Sequence, residues 1–169
     1  MLDAPAPPAA LGPPPTADEV RALHDDYVEC LDDLRLEEWP LFFAEDCLYQ
    51  VIPRENHEAG YNLCTMQAES RGMLQDRVAG LVRFQVFAPR TYRRFVTGAR
   101  VKGHGPEGTR VRSNVLVVQT LLDQPSEVVL CGTALDLLRR DAATGRLLFA
   151  ERVVVMDGEM VPNSLVYPA

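Results

Sequence analysis

The chain has 169 residues, 47% of them hydrophobic, which suits one domain with a real core and excludes a disordered chain. The net charge is −7 at pH 7, yet residues 1–60 hold 14 acids against 3 bases, while residues 71–112 hold 10 bases against 2 acids. An acidic chain without a nucleic-acid motif argues against a nucleic-acid partner, an arginine-rich face suits carboxylate pairing at a protein interface, and no apolar run approaches the roughly 18–20 residues that span a membrane.

MLDAPAPPAALGPPP has neither a basic nor an apolar leader region, so a soluble, cytoplasmic protein is expected. Residues 1–15 read as a mobile Pro/Ala-rich arm, and 16–169 as a single domain. Thr16 opens a capping box with Glu19, and the helix beyond it places Val20, Leu23, Tyr27, Leu31 and Leu34 on one face. A short helix is expected over EEWPLFF. CLYQVIP reads as a strand, RENHEAG as a polar loop and YNLCTMQA as a second strand. Ser70 is a suitable N-cap for a third helix, in which Met73, Leu74, Val78 and Leu81 share a face with Arg77 among them.

Four long segments rich in Val, Leu and Thr follow, separated by KGHGPEG, DQPS and DAATG, and Asp157-Gly158 predicts a last hairpin turn. Gly98 and Gly132 interrupt strands and suggest bends in a curved sheet. Helices first and an antiparallel meander last give an α+β class, with N-terminal helices packed on a strongly curved, mostly antiparallel sheet to form a cone.

Cys30, Cys47, Cys64 and Cys131 form no C-x-x-C pair and read as buried reduced thiols. His24, His57 and His104 lie in different segments, so no metal-ligand spacing is present. There is no nucleophile elbow and no phosphate loop, and GHGPEG joins two strands as a turn. Acid/base chemistry in a cone pocket is the remaining route for a stand-alone isomerase or dehydratase. Tyr27, Asp46, Tyr49 and Asp136 are its candidate residues, with Asp136, Tyr27 and Asp46 as the set to test. Asp136 reads first as an edge-facing or arginine-paired acid, with Arg139, Arg140 or Arg77 as partner, because unpaired burial is costly.

Several stretches together resemble the small (beta) subunit of aromatic-ring-hydroxylating dioxygenases, the Rieske non-haem iron oxygenases. They are HDDYVECLDDLRLEEWPLFFAEDCLYQV, ESRGMLQDRVAGL, PRTYRRFVTGARV, VRSNVLVVQT and FAERVVVMDGEM. The most specific piece is Met73, Leu74, Asp76, Arg77 and Val78. Phe95 stands where the family often has histidine, and the proline-rich arm is not a general feature. The pattern is most similar to small subunits of oxygenases acting on aromatic carboxylates such as terephthalate or salicylate. The resemblance implies an NTF2-like (cystatin-like) cone and a mainly structural role, with no catalytic, cofactor or metal residue in this chain. The Rieske [2Fe–2S] cluster and mononuclear Fe(II) are then expected in a large (alpha) subunit. An assembly of three large and three small subunits is implied, with contacts among the small ones and a reductase or ferredoxin as an indirect partner. Arg90, Arg93, Arg94 and Arg100 are the candidate interface residues, and Arg77 is expected to be held by a carboxylate, from Asp136 or the first helix.

Overall fold

A computed structural model describes residues 13–84, 88–158 and 165–169. Thr16 caps the first helix, α1 (Ala17–Asp32), with the reciprocal Glu19 bond that the spacing predicts. Val20, Leu23, Tyr27 and Leu31 are buried, whereas Leu34 is 44% exposed. The helix stops at Asp32 and Leu34 turns left-handed, at φ 57°, which takes it off the apolar face. The proline segment reaches the body sooner than expected, since Pro15 is already buried. A 3-10 turn over Trp39–Phe42 buries Trp39, Pro40 and Phe42.

Strand β1 (Phe43–Pro53) is longer than the sequence suggests. RENHEAG is not simply a loop: Arg54–Glu58 forms the short helix α2, which buries none of its residues. Only Met66–Ala68 of YNLCTMQA forms a strand, β2. Helix α3 (Arg71–Phe84) starts where the Ser70 hydroxyl accepts from the Met73 amide at 3.3 Å. Leu74, Val78 and Leu81 face the core, but Met73 is 46% exposed and belongs to the outer face.

β3 (Arg90–Gly105), β4 (Gly108–Leu121), β5 (Glu127–Arg140) and β6 (Leu147–Met156) complete a six-stranded sheet in the order β2-β1-β6-β5-β4-β3. Neighbours are antiparallel except β1 and β6, which are parallel. Bulges interrupt the β3–β4, β4–β5 and β5–β6 ladders, and bulges increase local twist. Gly132 marks a close approach, because a Cβ there would sit 2.1 Å from the Val155 carbonyl oxygen. Helix α1 packs against β3 and β6, and α3 against β1 and β2, so the helices close the concave side of an open α+β cone. Asp157 donates its amide to Cys131 O, while the expected hairpin beyond Gly158 lies outside the described residues.

Candidate functional site

Register builds the centre of the cone. Tyr49 on β1 pairs with Arg152 on β6, Arg152 with Asp136 on β5, and Asp136 with Val111 on β4. One row across the concave face therefore carries a phenol, a guanidinium and a carboxylate side by side. The Arg152 and Asp136 side chains are both 0% exposed. Nη1 of Arg152 donates to both Asp136 oxygens at 3.0 Å. From α1, His24 Nε2 lies 2.9 Å from Asp136 Oδ2, and its Nδ1 lies 2.9 Å from Val20 O. The remaining guanidinium surface stacks on aromatic rings, 4.5 Å from the Tyr27 centroid and 4.9 Å from that of Phe149. Burial is the largest influence and opposes the Arg152 charge, but the Asp136 carboxylate together with Tyr27 and Tyr49 outweighs it and holds the pKa above the ordinary arginine value.

Tyr27, Trp39, Phe43, Tyr49 and Phe149 surround this row in edge-on and tilted contacts 5.3–6.2 Å apart. Residues 165–169 come in above them. Tyr27 donates its hydroxyl to Ala169 O at 2.6 Å, and Ala169 N donates to the Tyr49 hydroxyl at 2.9 Å. Arg94 grips Pro168 O with Nε at 3.0 Å and Nη2 at 2.7 Å, while its Nη1 pairs with Asp32 at 2.7 Å. Arg77 Nη2 reaches Val166 O at 3.4 Å, and the Tyr167 ring meets Tyr92 edge-on at 5.3 Å. Burial raises the pKa of both Tyr27 and Tyr49, so both phenols stay protonated at neutral pH.

Of the candidate acid/base residues, Asp136 and Tyr27 share this centre, but Asp46 does not. Its side chain is 76% exposed and pairs with Arg139 at 3.2 Å, in a surface cleft that Glu45 and Arg71 also line. Asp136 takes Arg152 and His24 as partners, not Arg139, Arg140 or Arg77. Arg77 has no carboxylate partner among the described residues, its Nε has no hydrogen bond, and desolvation lowers its pKa. Within the family-like segment, Leu74 and Val78 are core, while Met73 and Asp76 face outward.

The arginines expected at an interface divide in two. Arg93 and Arg100 are exposed and Arg90 is half-buried against Gln119, whereas Arg94 is 5% exposed and belongs to the core. His57 lies on α2, and His104 bonds Thr109 at 2.8 Å within the β3–β4 hairpin. Cys30 and Cys47 are buried, but Cys64 is half-buried and Cys131 exposed, and all four are free. No group of three or more His, Cys, Asp or Glu is placed to hold a metal ion among the described residues.

Arg152 is the residue that the sequence reading passes over, and His24 is named there only as a histidine outside any metal-ligand spacing. In ERVVV, Arg152 shares the inward phase of Ala150 and Val154, as Asp136 shares that of Ala134 and Leu138. Two opposite charges in core phase on neighbouring strands are the signal for a buried pair.

Known proteins are similar to this chain in sequence and fold. The small subunit of anthranilate 1,2-dioxygenase from Burkholderia cepacia is 31% identical over 89% of this chain and 92% of its own. The beta 2 subunit of the terminal oxygenase component of terephthalate 1,2-dioxygenase from a Comamonas species is 25% identical over 89% and 96%. A solved structure described as the beta subunit of an aromatic-ring-hydroxylating dioxygenase from Novosphingobium aromaticivorans superposes with a TM-score of 0.78 at 30% identity, covering 89% of this chain and 94% of that one. The profile of the ring hydroxylating beta subunit family matches residues 27–163. With that match, and a fold that superposes on a solved beta subunit, the chain belongs to the ring-hydroxylating beta subunit family.

Proposed function

We propose that this beta subunit serves assembly and performs no chemistry itself, with the Rieske [2Fe–2S] cluster and the mononuclear Fe(II) held by a separate large subunit. One observation carries this reading: the single acid in the cone centre, Asp136, is fully buried and engaged by Arg152 and His24. A general base needs a lone pair facing substrate, and neither oxygen here is without a donor. The stand-alone acid/base enzyme would require Asp46 beside Tyr27 and Asp136, and Asp46 lies at the surface.

Exposed Arg93 and Arg100 are the interface residues we assign, meeting carboxylates of neighbouring subunits in a three-plus-three assembly. A reductase or ferredoxin supplies electrons to the large subunit, in the cytoplasm. An aromatic carboxylate is the substrate class, the compound type named in both curated relatives.

Co-expression with the large subunit tests the proposal. The expected result is a red-brown complex with equal numbers of the two subunits, with iron only in the large one. Arg93→Glu with Arg100→Glu should weaken assembly and leave the isolated chain folded. A small chain that stays monomeric beside its large subunit, or that turns over an aromatic substrate alone, would overturn it.

A further inference from the structure

We propose that His24 carries both ring protons, as an imidazolium, and is a pH-sensitive latch that fastens α1 to the sheet. Its two nitrogens both face acceptors. Nδ1 lies 2.9 Å from Val20 O and Nε2 lies 2.9 Å from Asp136 Oδ2, with the side chain 3% exposed. A main-chain carbonyl only accepts, and so does an ionised carboxylate. A neutral imidazole has one N–H and one lone pair, so either tautomer sets a lone pair against an oxygen, out of reach of water. The doubly protonated ring donates at both ends.

A proton on Asp136 is the rival way to satisfy Nε2, and Arg152 works against it. Nη1 of Arg152 donates to both Asp136 oxygens at 3.0 Å, which favours the carboxylate over the acid. Arg152 gives Asp136 only this one nitrogen, since its Nε and Nη2 have no hydrogen-bond partner among the described residues. Oδ2 therefore keeps acceptor capacity, and His24 fills it with a charge-assisted bond. The other charges of the packed elements divide as follows. Arg152 on β6 opposes a charge on the ring, and Asp136 on β5 favours it. Arg94 on β3 is offset by Asp32 of α1. Tyr27 on α1 and Tyr49 on β1 are neutral phenols, because burial raises both pKa values. Ala169, the last residue, sits between those two hydroxyls and brings its carboxylate to the same centre, a further anion that favours the imidazolium. Phe149 meets the His24 ring edge-on at 5.7 Å. The same helix moors two other parts of the fold, since Tyr27 donates to Ala169 O and Asp32 holds Arg94. Loss of the His24 proton thus loosens the helix on which the tail and β3 depend.

Ring-nitrogen NMR on the uniformly 15N-labelled full chain tests the protonation without any variant. At pH 7.5 both His24 nitrogens should show the shifts of protonated nitrogens, while exposed His57 and His104 serve as titrating references in the same spectra. One unprotonated His24 nitrogen at that pH would overturn the proposal. Stability should follow the same proton. An unfolded histidine loses its proton near about pH 6.5, whereas the latched ring keeps it, so above that pH folding takes up one proton. The contribution of the latch is complete below about 6.5 and is lost as pH rises. Urea unfolding from pH 6 to pH 8 stays below the range in which unfolded cysteines titrate, about 8.5. Over that window the unfolding constant of the parent should rise with a slope approaching tenfold per pH unit, the limit for one proton. His24→Gln keeps a donor but has nothing to titrate, so it should flatten this rise. Parallel curves for parent and variant would overturn the proposal. Neither measurement involves a large subunit, so this inference and the assembly reading can fail separately.

Discussion

Removing the carboxylate at the cone centre should be far more harmful than removing the whole ion pair. Asp136→Leu leaves Arg152 charged, fully buried and without a counter-charge, because no part of its side chain reaches solvent. It also deprives His24 of the Asp136 contact. Breaking a buried pair from one side costs about 3–5 kcal/mol, a large share of the roughly 5–15 kcal/mol that stabilises an ordinary domain. Asp136→Leu combined with Arg152→Met removes both charges and their shared desolvation penalty. It also removes Nε and Nη2, which have no hydrogen-bond partner among the described residues. Replacing a buried pair by apolar residues of similar size is often neutral or stabilising, so the double variant should recover most of the loss. The assay is urea unfolding followed by far-UV circular dichroism and by Trp39 fluorescence, for the parent, both single variants and the double. Unchanged slopes would let the midpoints be read as stability. An Asp136→Leu chain within about 1 kcal/mol of the parent would refute the buried-charge argument. A double variant as unstable as the two single losses added together would show that the side chains act independently.

Gly132→Ala should destabilise by about 1–3 kcal/mol, because its Cβ would press into Val155 O and force β5 and β6 apart; an unchanged melting temperature would refute it. In the folded chain a thiol reagent at pH 8 should reach exposed Cys131 first. Cys30 and Cys47, whose pKa values burial pushes up to about 11, should react only on unfolding, and prompt labelling of all four would contradict their placement. The Thr16 amide and Arg140 hold Glu19 below the ordinary carboxylate pKa. Its contribution is therefore complete above the unfolded value of about 4.3 and disappears as pH falls through the lower folded value. Glu19→Gln should accordingly lower stability at pH 7 and flatten its acid dependence, and parallel pH–stability curves for variant and parent would count against this.

The helices show how far local sequence reaches. The α1 start was legible because a capping box is contiguous and its hydrogen bonds are local. Its end was less so: Leu34 keeps the apolar spacing, but the chain has already turned left-handed there. Helix α2 was illegible because it buries no side chain and so leaves no periodic signal. The parallel β1–β6 pairing joins strands about a hundred residues apart, and nothing in either strand names its partner. That pairing sets Tyr49 beside Arg152, so the cone centre inherits the same obscurity. Asp136 alone was visible as an acid in an apolar strand; its partners required the register.

Arg77 and Arg94 mark the limit more sharply. Both sit in family-like segments, and sequence alone assigns one a carboxylate and the other a surface. The structure reverses these roles: Arg94 has the carboxylate, Asp32, and lies in the core, while among the described residues Arg77 reaches a main-chain oxygen and no carboxylate. Alternation along β3 puts Arg93 outside and Arg94 inside, and a one-residue shift would exchange them. Side-chain chemistry is therefore common to an interface arginine and a core arginine, and phase against the concave face decides between them. The same phase brings the guanidiniums of Arg94 and Arg152 toward the buried phenols and the tail. Asp32 and Asp136 at this centre are each already engaged by a guanidinium. The centre is thus suited to holding the fold together, and poorly suited to moving a proton.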